Sequence, residues 1–426
     1  MGEIKINEIY NLDCLDGLKL LDDNLIDSIV TDPPYLLNFM NKEWDRNNIS
    51  CNIQVWQECL RILKPGGYLL TFGGTRTYHR MACAIEDAGF EIRDTIAWMY
   101  GSGFPKSLDI SKAIDKQAGV EREIVGNTGR DPNRLIKFKE QDGCKRNPTN
   151  EDITVPATLE AQQYQGWGTA LKPAYEPIIM ARKPLSEKTV ASNVLKLGTG
   201  GINIDGCRIE VNPLIDDMLR ETKRQKRNTN TWEDGSGFKN EKNNLTGVKP
   251  EGRFPANVIL DEEAAKLLDE QSGTTKSART NRGRGFSSQG SHEGWKRKSH
   301  DNPDYQNVLG GYNDSGGASR FFYTAKASSN ERYFYCHECK EAFPKKQQDN
   351  HKHNYDNSKH IEFHPTVKPL SLLSYLVKLV TPPNGVCLDP FLGTGTTALA
   401  CKNQGFNFIG FDNNEIYYNI ALKRIS

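Results

Sequence analysis

Long uncharged apolar runs are missing from the 426 residues and the mean hydropathy is negative, so a soluble chain rather than a helical membrane protein is expected. The first residues, MGEIKINEIYNLD, carry acids and lack the basic start, apolar middle and small-residue cleavage site of a secretory leader, which points to a cytoplasmic location. A disulfide framework is lacking too. The ten cysteines, at 14, 51, 59, 83, 144, 207, 336, 339, 387 and 401, are scattered, mostly in apolar runs where a reduced thiol packs as a small hydrophobe. No internal repeat is present. An excess of one charge is absent overall, at net +1, but not locally: RETKRQKR (220–227) has five bases against one acid, and 276–298 has seven against Glu293 alone. Such runs suit phosphate contact; the alternative for either run alone is a solvated loop.

What is present is an α/β texture at both ends of a chain long enough for two or three domains. IDSIVT reads as a buried strand, VWQECLRILKPGG as an amphipathic helix closed by Pro65 and two glycines, YLLTFGG as a strand, TYHRMACAIEDAG as a helix, and FEIRDTIAWMY and PIIMARKPL as further strands. This is the rhythm of a parallel sheet covered by helices. From about Ser186 to Ala327 the chain turns polar and rich in Gly, Ser, Asn, Lys and Arg, with GTGGINIDGCRIE and RFPANVILDEEAAKLLDE the best candidates for order. The last 60 or so residues return to α/β texture, through the helix LSLLSYLVKLV, the strand VCLDPF, the helix TGTTALACKNQG and the strand NFIGFD.

Two motifs carry chemistry. Strand IDSIV is followed by TDPPYLLNFM. Pro33-Pro34 is stiff, and it holds the Asp32 carboxylate, the Pro33 carbonyl and the Tyr35 ring in one arrangement beyond a strand's carboxyl end, where open α/β sheets bind ligands. Near the other end, LDPFLGTGTTALA is a strand, a glycine turn and a helix start. Gly393 and Gly395 allow the tight turn, Ala398 completes a GxGxxA pattern, and Asp412 lies 17 residues after Gly395 at the next strand's end, as an acceptor for adenosine ribose hydroxyls. Alone, this pattern suits nicotinamide or flavin dinucleotides equally.

Together, DPPY and Phe391-Leu-Gly393-Thr-Gly395 resemble the paired signatures of the amino-group DNA methyltransferases, N6-adenine and N4-cytosine. Their order, DPPY first, is that of the family's beta group. The resemblance covers NLDCLDGLKLLDDNLIDSIVTDPPY at one end and the stretch from HPTVKP to NFIGFD at the other. It implies a Rossmann-like, circularly permuted S-adenosylmethionine-dependent methyltransferase sheet with an inserted target-recognition region. The implied division is 1–185, catalytic half; 186–327, target recognition and DNA binding; and 361–426, cofactor half, with 328–360, which departs from the family pattern, read from its Cys and His spacing as a zinc-binding module. It also implies a cofactor site of Asp13 near the adenine, Thr366 and Lys368 near the methionine end, Phe391, Gly393 and Gly395 on the methionine part and Asp412 on the ribose, with Asp389 and Thr394 also cofactor-binding. Asp32, Pro33, Pro34 and Tyr35 would be catalytic, the first two accepting N–H bonds from a flipped base's amino group and the tyrosine stacking on the base. Double-stranded DNA would be the substrate and a cognate restriction endonuclease a partner, in a bacterium or its virus.

Asp at the first motif position favours adenine N6, since the cytosine N4 enzymes more often carry Ser there. Methylation at cytosine carbon 5 would use a cysteine nucleophile in a Pro-Cys pair, and no Pro-Cys occurs. Cys336 and Cys339 with His351 and His353 approach a two-cysteine, two-histidine structural zinc site; surface thiols beside a histidine-rich loop are the alternative. GSGFPKSLDISKAI and WGTALKPAYEP are read either as base-pocket lining or as loops. Rival readings are an RNA methyltransferase, a nicotinamide-dependent dehydrogenase, for which DPPY has no task, and a non-catalytic nucleic-acid binder.

Overall fold

The computed structural model describes residues 4–35, 48–103, 107–127, 152–211, 252–276, 280–281, 309–310, 314–326, 331–346, 361–364 and 366–426. Seven strands of the central sheet precede residue 330: β1 (Glu8–Tyr10), β2 (Ile26–Thr31), β3 (Leu63–Phe72), β4 (Glu91–Met99), β5 (Tyr175–Arg182), β6 (Val258–Asp261) and β7 (Tyr323–Ala325). Three more, β8 (Tyr333–Cys336), β9 (Glu341–Pro344) and β10 (Ile361–Phe363), form a small antiparallel sheet of their own. β11 (Val386–Asp389) and β12 (Asn407–Phe411) complete the central sheet, whose order is β1-β12-β11-β2-β3-β5-β4-β6-β7.

Every neighbouring pair in this nine-stranded sheet is parallel except those made by β5, which runs antiparallel to both β3 and β4. The two ends of the chain meet at its centre, where Cys387 and Leu388 of β11 pair with Ser28 and Ile29 of β2. The expectation that both ends build one sheet therefore holds.

Strands β2, β3, β5 and β11 are buried along most of their length because helices cover both faces, whereas β4 is largely exposed. Alternate residues point to opposite sides: Val30, Leu70, Ile178 and Met180 pack under the helix Leu370–Val380, whereas Ile29, Leu69, Ile179 and Ala181 pack under Cys14–Lys19, Ile53–Ile62 and Tyr78–Asp87. Trp56 is fully buried in the second core, its indole N–H donating to the Ser50 carbonyl at 2.9 Å.

Three elements differ from their sequence reading. The helix Ile53–Ile62 ends before Lys64-Pro65, as a proline requires, but the two glycines do not form a turn. They enter β3, and Gly66 and Gly67 exchange backbone hydrogen bonds with Lys183. The polar stretch 186–327 supplies β6 and β7 to the central sheet, with the helix Glu262–Ser272 between them. Lastly, β10 pairs with β8, so the small sheet draws on residues both sides of 360. It packs through Tyr335 on Tyr417 and Ile420 of the C-terminal helix Glu415–Ile425.

Candidate active site

β2 and β11 lie side by side, but the chain leaves them in opposite directions, β2 towards β3 and β11 towards β12. Such a switch point opens a crevice at the strands' carboxyl ends. The DPPY segment leaves the end of β2 and the Phe391–Gly395 turn leaves the end of β11.

Asp389 joins the two exits. Its Oδ1 accepts from the Thr31 hydroxyl at 2.6 Å and the Phe391 amide at 3.0 Å, and its Oδ2 accepts from the Thr397 hydroxyl at 2.6 Å. Burial pushes its carboxyl up to about 6 against these hydrogen bonds. Expected to face the cofactor, Asp389 instead turns its oxygens into the protein as a clasp behind the turn.

In the turn itself, the two glycines have different tasks. Gly393 has φ +53°, and among the described residues a Cβ there would meet only His364 Nε2, at 3.8 Å, which leaves room for a ligand against the backbone. Gly395, at φ +81°, would bring a Cβ to 2.9 Å from Ala421, so its bare backbone admits the C-terminal helix. Thr394 is turned inward. Its carbonyl and hydroxyl accept from buried Arg424 at 2.7 and 2.8 Å, and burial lowers that guanidinium to about 10. Phe391 is half-buried against the second core.

Asp412 closes the turn from the end of β12. Its Oδ2 accepts from the Gly393 amide at 2.8 Å and its Oδ1 from the Asn414 amide at 2.9 Å. Burial pushes it up to about 7 against these amide bonds, helped by the charge on Asp389. Asn11 donates to the Asp412 carbonyl at 2.8 Å, which brings the β1 exit alongside; two residues on, Asp13 caps the helix Cys14–Lys19 through the Leu15 amide. His364, at the start of HPTVKP, meets the Tyr417 ring edge-on at 4.7 Å and accepts from the amide of exposed Thr366 at 3.3 Å.

The DPPY exit holds a compact charged cluster. Lys368 Nζ lies 2.6 Å from Asp32 Oδ2, 3.2 Å from Glu176 Oε2 and 3.1 Å from the Tyr35 hydroxyl. That hydroxyl is 2.6 Å from Asp32 Oδ1 and 2.9 Å from Glu176 Oε2 and gives its one proton to one of them. The ammonium sits 5.2 and 5.0 Å from the ring centroids of Tyr35 and Phe72. Burial acts to lower the Lys368 pKa, but Asp32 and Glu176 outweigh it, so the lysine is held charged. Burial, Asp32 and Glu176 together raise Tyr35 well above a free phenol. The Thr77 hydroxyl pins the Tyr35 carbonyl at 2.7 Å, and Pro33 is buried while Pro34 is half-buried.

Two expectations change here. Lys368 is assigned by the motif to the methionine end of the cofactor, yet its long stem carries the ammonium onto Asp32. The Tyr35 ring packs partly against the first core, with its hydroxyl drawn into the carboxylates rather than free at a stacking face. Sequence pattern does not single out Glu176, only the segment WGTALKPAYEP that contains it. This residue reaches the cluster because β5 is antiparallel, which puts the start of that strand at the edge where parallel strands end.

Of the zinc donors, Cys336 and Cys339 bracket the β8–β9 turn, where Lys340 takes φ +56°. Among the described residues no group of three or more His, Cys, Asp or Glu could hold a metal ion, so zinc is not supported; His351 and His353 lie outside those residues. The basic run 220–227 and most of 276–298 lie outside them as well.

A family of DNA methylases matches residues 26–423. The type II methyltransferase M.HindIII of Haemophilus influenzae is 46% identical over 63 residues, which are 15% of this chain and 20% of that protein. M.HinfI, also of Haemophilus influenzae, is 45% identical over 62 residues, 15% of this chain and 17% of that protein. The chain thus matches about a fifth of the length of these curated relatives. Among solved structures, the PvuII DNA methyltransferase, described as cytosine-N4-specific, aligns over 98% of this chain and 86% of its own at 11% identity and a TM-score of 0.41.

Proposed function

The chain belongs to the N6/N4 DNA methylase family, and from that premise we infer that it transfers the methyl group of S-adenosylmethionine to an exocyclic amino group in double-stranded DNA, adenine N6 in preference to cytosine N4. The observation that carries the reading is the clasp at the switch point. Thr31 and Asp389 hold the exit that bears Asp32 beside the exit that bears the open Gly393 backbone and Asp412.

The residues present fit an adenosine cofactor. Gly393 leaves room for a ligand against backbone, and each Asp412 oxygen, with one amide partner among the described bonds, retains capacity for a ribose hydroxyl. Phe391, within the turn, and Asp13 and Thr366, carried over from the family resemblance, complete the proposed cofactor set. When bound, S-adenosylmethionine supplies a methyl group activated by its sulfonium.

The chain's own residues act on the amine. The lone pair of a nucleobase amino group is delocalised into the ring, so the nitrogen is a poor nucleophile. Asp32 and the Pro33 carbonyl accept its two N–H bonds and favour a pyramidal nitrogen with an available lone pair. The diproline fixes that geometry in advance, and removal from water strengthens it. The base must leave the duplex to arrive there, at a cost of a few kcal/mol. Tyr35, once its hydroxyl yields, supplies the ring that offsets part of that cost. Base readout is assigned to the 186–327 stretch, and a cognate restriction endonuclease is the proposed biological partner.

Adenine is favoured because Asp rather than Ser opens the DPPY motif. The test is transfer of labelled methyl into unmethylated DNA, followed by digestion to nucleosides. N6-methyladenine is expected. N4-methylcytosine would reverse the base and keep the chemistry, while label in RNA alone, or nowhere, would overturn the reading.

A further inference from the structure

The chemistry above leaves two members of the Asp32 cluster without a task, Lys368 and Glu176. Resting on that reading, we propose that Glu176 is a positioning residue that takes over the Lys368 ammonium when Asp32 engages the amino group of the base.

The geometry makes Lys368 a competitor for Asp32. An ammonium has three donors, and three acceptors surround this one: Asp32 Oδ2 at 2.6 Å, the Tyr35 oxygen at 3.1 Å and Glu176 Oε2 at 3.2 Å. Tyr35 lies on the other Asp32 oxygen at 2.6 Å. Both carboxylate oxygens that should accept an amine N–H already have one partner within the protein, and although each keeps a second lone pair, the ammonium 2.6 Å from Oδ2 offsets the charge that makes Asp32 a strong acceptor. Asp32 offers that charge to the base in full only as the lysine bond lengthens.

Releasing that bond with no second anion would leave an unpaired ammonium in a side chain only 9% exposed, which is strongly unfavourable. Glu176 removes the difficulty. Its carboxylate lies within reach of the same ammonium, with a longer separation that has room to tighten. Its backbone is fixed in β5, paired with Trp98 and followed by Pro177, so the acceptor stays in place while the flexible lysine stem moves. The rings of Tyr35 and Phe72 flank the ammonium and confine that movement. Two carboxylates and one ammonium carry the same total charge before and after, so the exchange requires no proton transfer.

A reversal follows that a merely structural residue would not produce. With Glu176 neutralised, Lys368 keeps Asp32 as its one anionic partner among the described residues and holds it; removing the lysine as well sets Asp32 free. Single-turnover methyl transfer to unmethylated bacteriophage DNA at saturating S-adenosylmethionine would be measured for the full chain and for E176Q, E176D, K368M and E176Q/K368M. Cofactor affinity would be measured separately by calorimetry. E176Q is expected to be slower by about tenfold or more with cofactor affinity within about twofold of the original. E176D, which keeps the charge at shorter reach, should fall between, and E176Q/K368M should be faster than E176Q.

A double variant as slow as E176Q or slower overturns the proposal. If that variant does not fold, E176D decides: a rate equal to that of E176Q shows that the charge has no role and overturns it too. D32N separates this failure from failure of the underlying reading. An inactive D32N beside an E176Q at the original rate refutes the role of Glu176 alone, whereas an active D32N refutes the amine chemistry itself.

Discussion

Thr31 donates a 2.6 Å hydrogen bond to Asp389, and this bond between residues 358 positions apart fastens the DPPY exit to the glycine turn. Both residues are buried, so the bond is made where an unpaired carboxylate oxygen is costly.

Thr31→Val, which keeps the shape and removes the donor, is therefore expected to destabilise the fold by about 1–3 kcal/mol and to weaken cofactor binding as the turn loosens. Urea unfolding with and without S-adenosylmethionine measures both. A variant as stable as the parent, with unchanged affinity, would show that the clasp has no such role.

The two turn glycines should fail in different ways. Gly395→Ala forces a Cβ to 2.9 Å from Ala421 at φ +81°, so loss of stability is the expected result, read as a lowered melting temperature. Gly393→Ala makes only an ordinary contact with His364 at 3.8 Å, and its cost is mainly that of a left-handed backbone, roughly 1–2 kcal/mol. Its larger effect should be on the cofactor Kd. Equal thermal losses with equal affinities would contradict the division of labour.

Asp412 predicts a pH dependence of its own. Its folded carboxyl is raised to about 7, and ribose hydroxyls donate best to the ionised form, so cofactor affinity should rise as pH increases through about 7. Asp412→Asn should flatten that profile and chiefly raise the cofactor KM. Stability runs the other way. A carboxyl raised on folding stabilises most when it is protonated, so its contribution is complete below the unfolded value of 3.8 and is lost as pH climbs through about 6 for Asp389 and about 7 for Asp412. Denaturation midpoints from pH 5 to 8 in Asp412→Asn should fall less steeply than in the parent; an identical slope would contradict it.

Arg279, Arg282 and Arg284 test the basic run. Their joint replacement by alanine should reduce the slope of log affinity against log salt for DNA by up to about 0.9 for each phosphate they neutralise in the parent. An unchanged slope would clear them of phosphate binding.

Features set by local pattern are legible in the sequence. Ile26–Thr31 reads as a strand through Ile26, Ile29 and Val30, and the structure buries all six residues, Asp27 and Ser28 with polar partners in Lys64 and Thr381. DPPY and the Phe391–Gly395 turn can be read because prolines fix the backbone, and glycines permit left-handed backbone, at their own positions. What stays hidden depends on direction and distance. Glu176 enters the cluster only because β5 is antiparallel, and no residue in AYEPIIMAR states its orientation. Lys368 lies within HPTVKP, the segment the resemblance assigns to the cofactor, and its bond to Asp32 spans 336 positions. Asp389 sits in a motif that the resemblance assigns to the cofactor, yet its side chain faces Thr31, a choice made by packing on the neighbouring strand. The same holds for Gly395, whose missing Cβ matters to Ala421 rather than to a ligand.

In the proposed reaction one carboxylate, Asp32, serves the amine while a separate surface holds the cofactor, and a pair of assays on Asp32→Asn probes that separation. These are calorimetric binding of S-adenosylmethionine and transfer of labelled methyl into unmethylated DNA. Binding at the parent affinity with transfer abolished is the predicted result. Transfer near the parent rate, or loss of binding alongside loss of transfer, would contradict it.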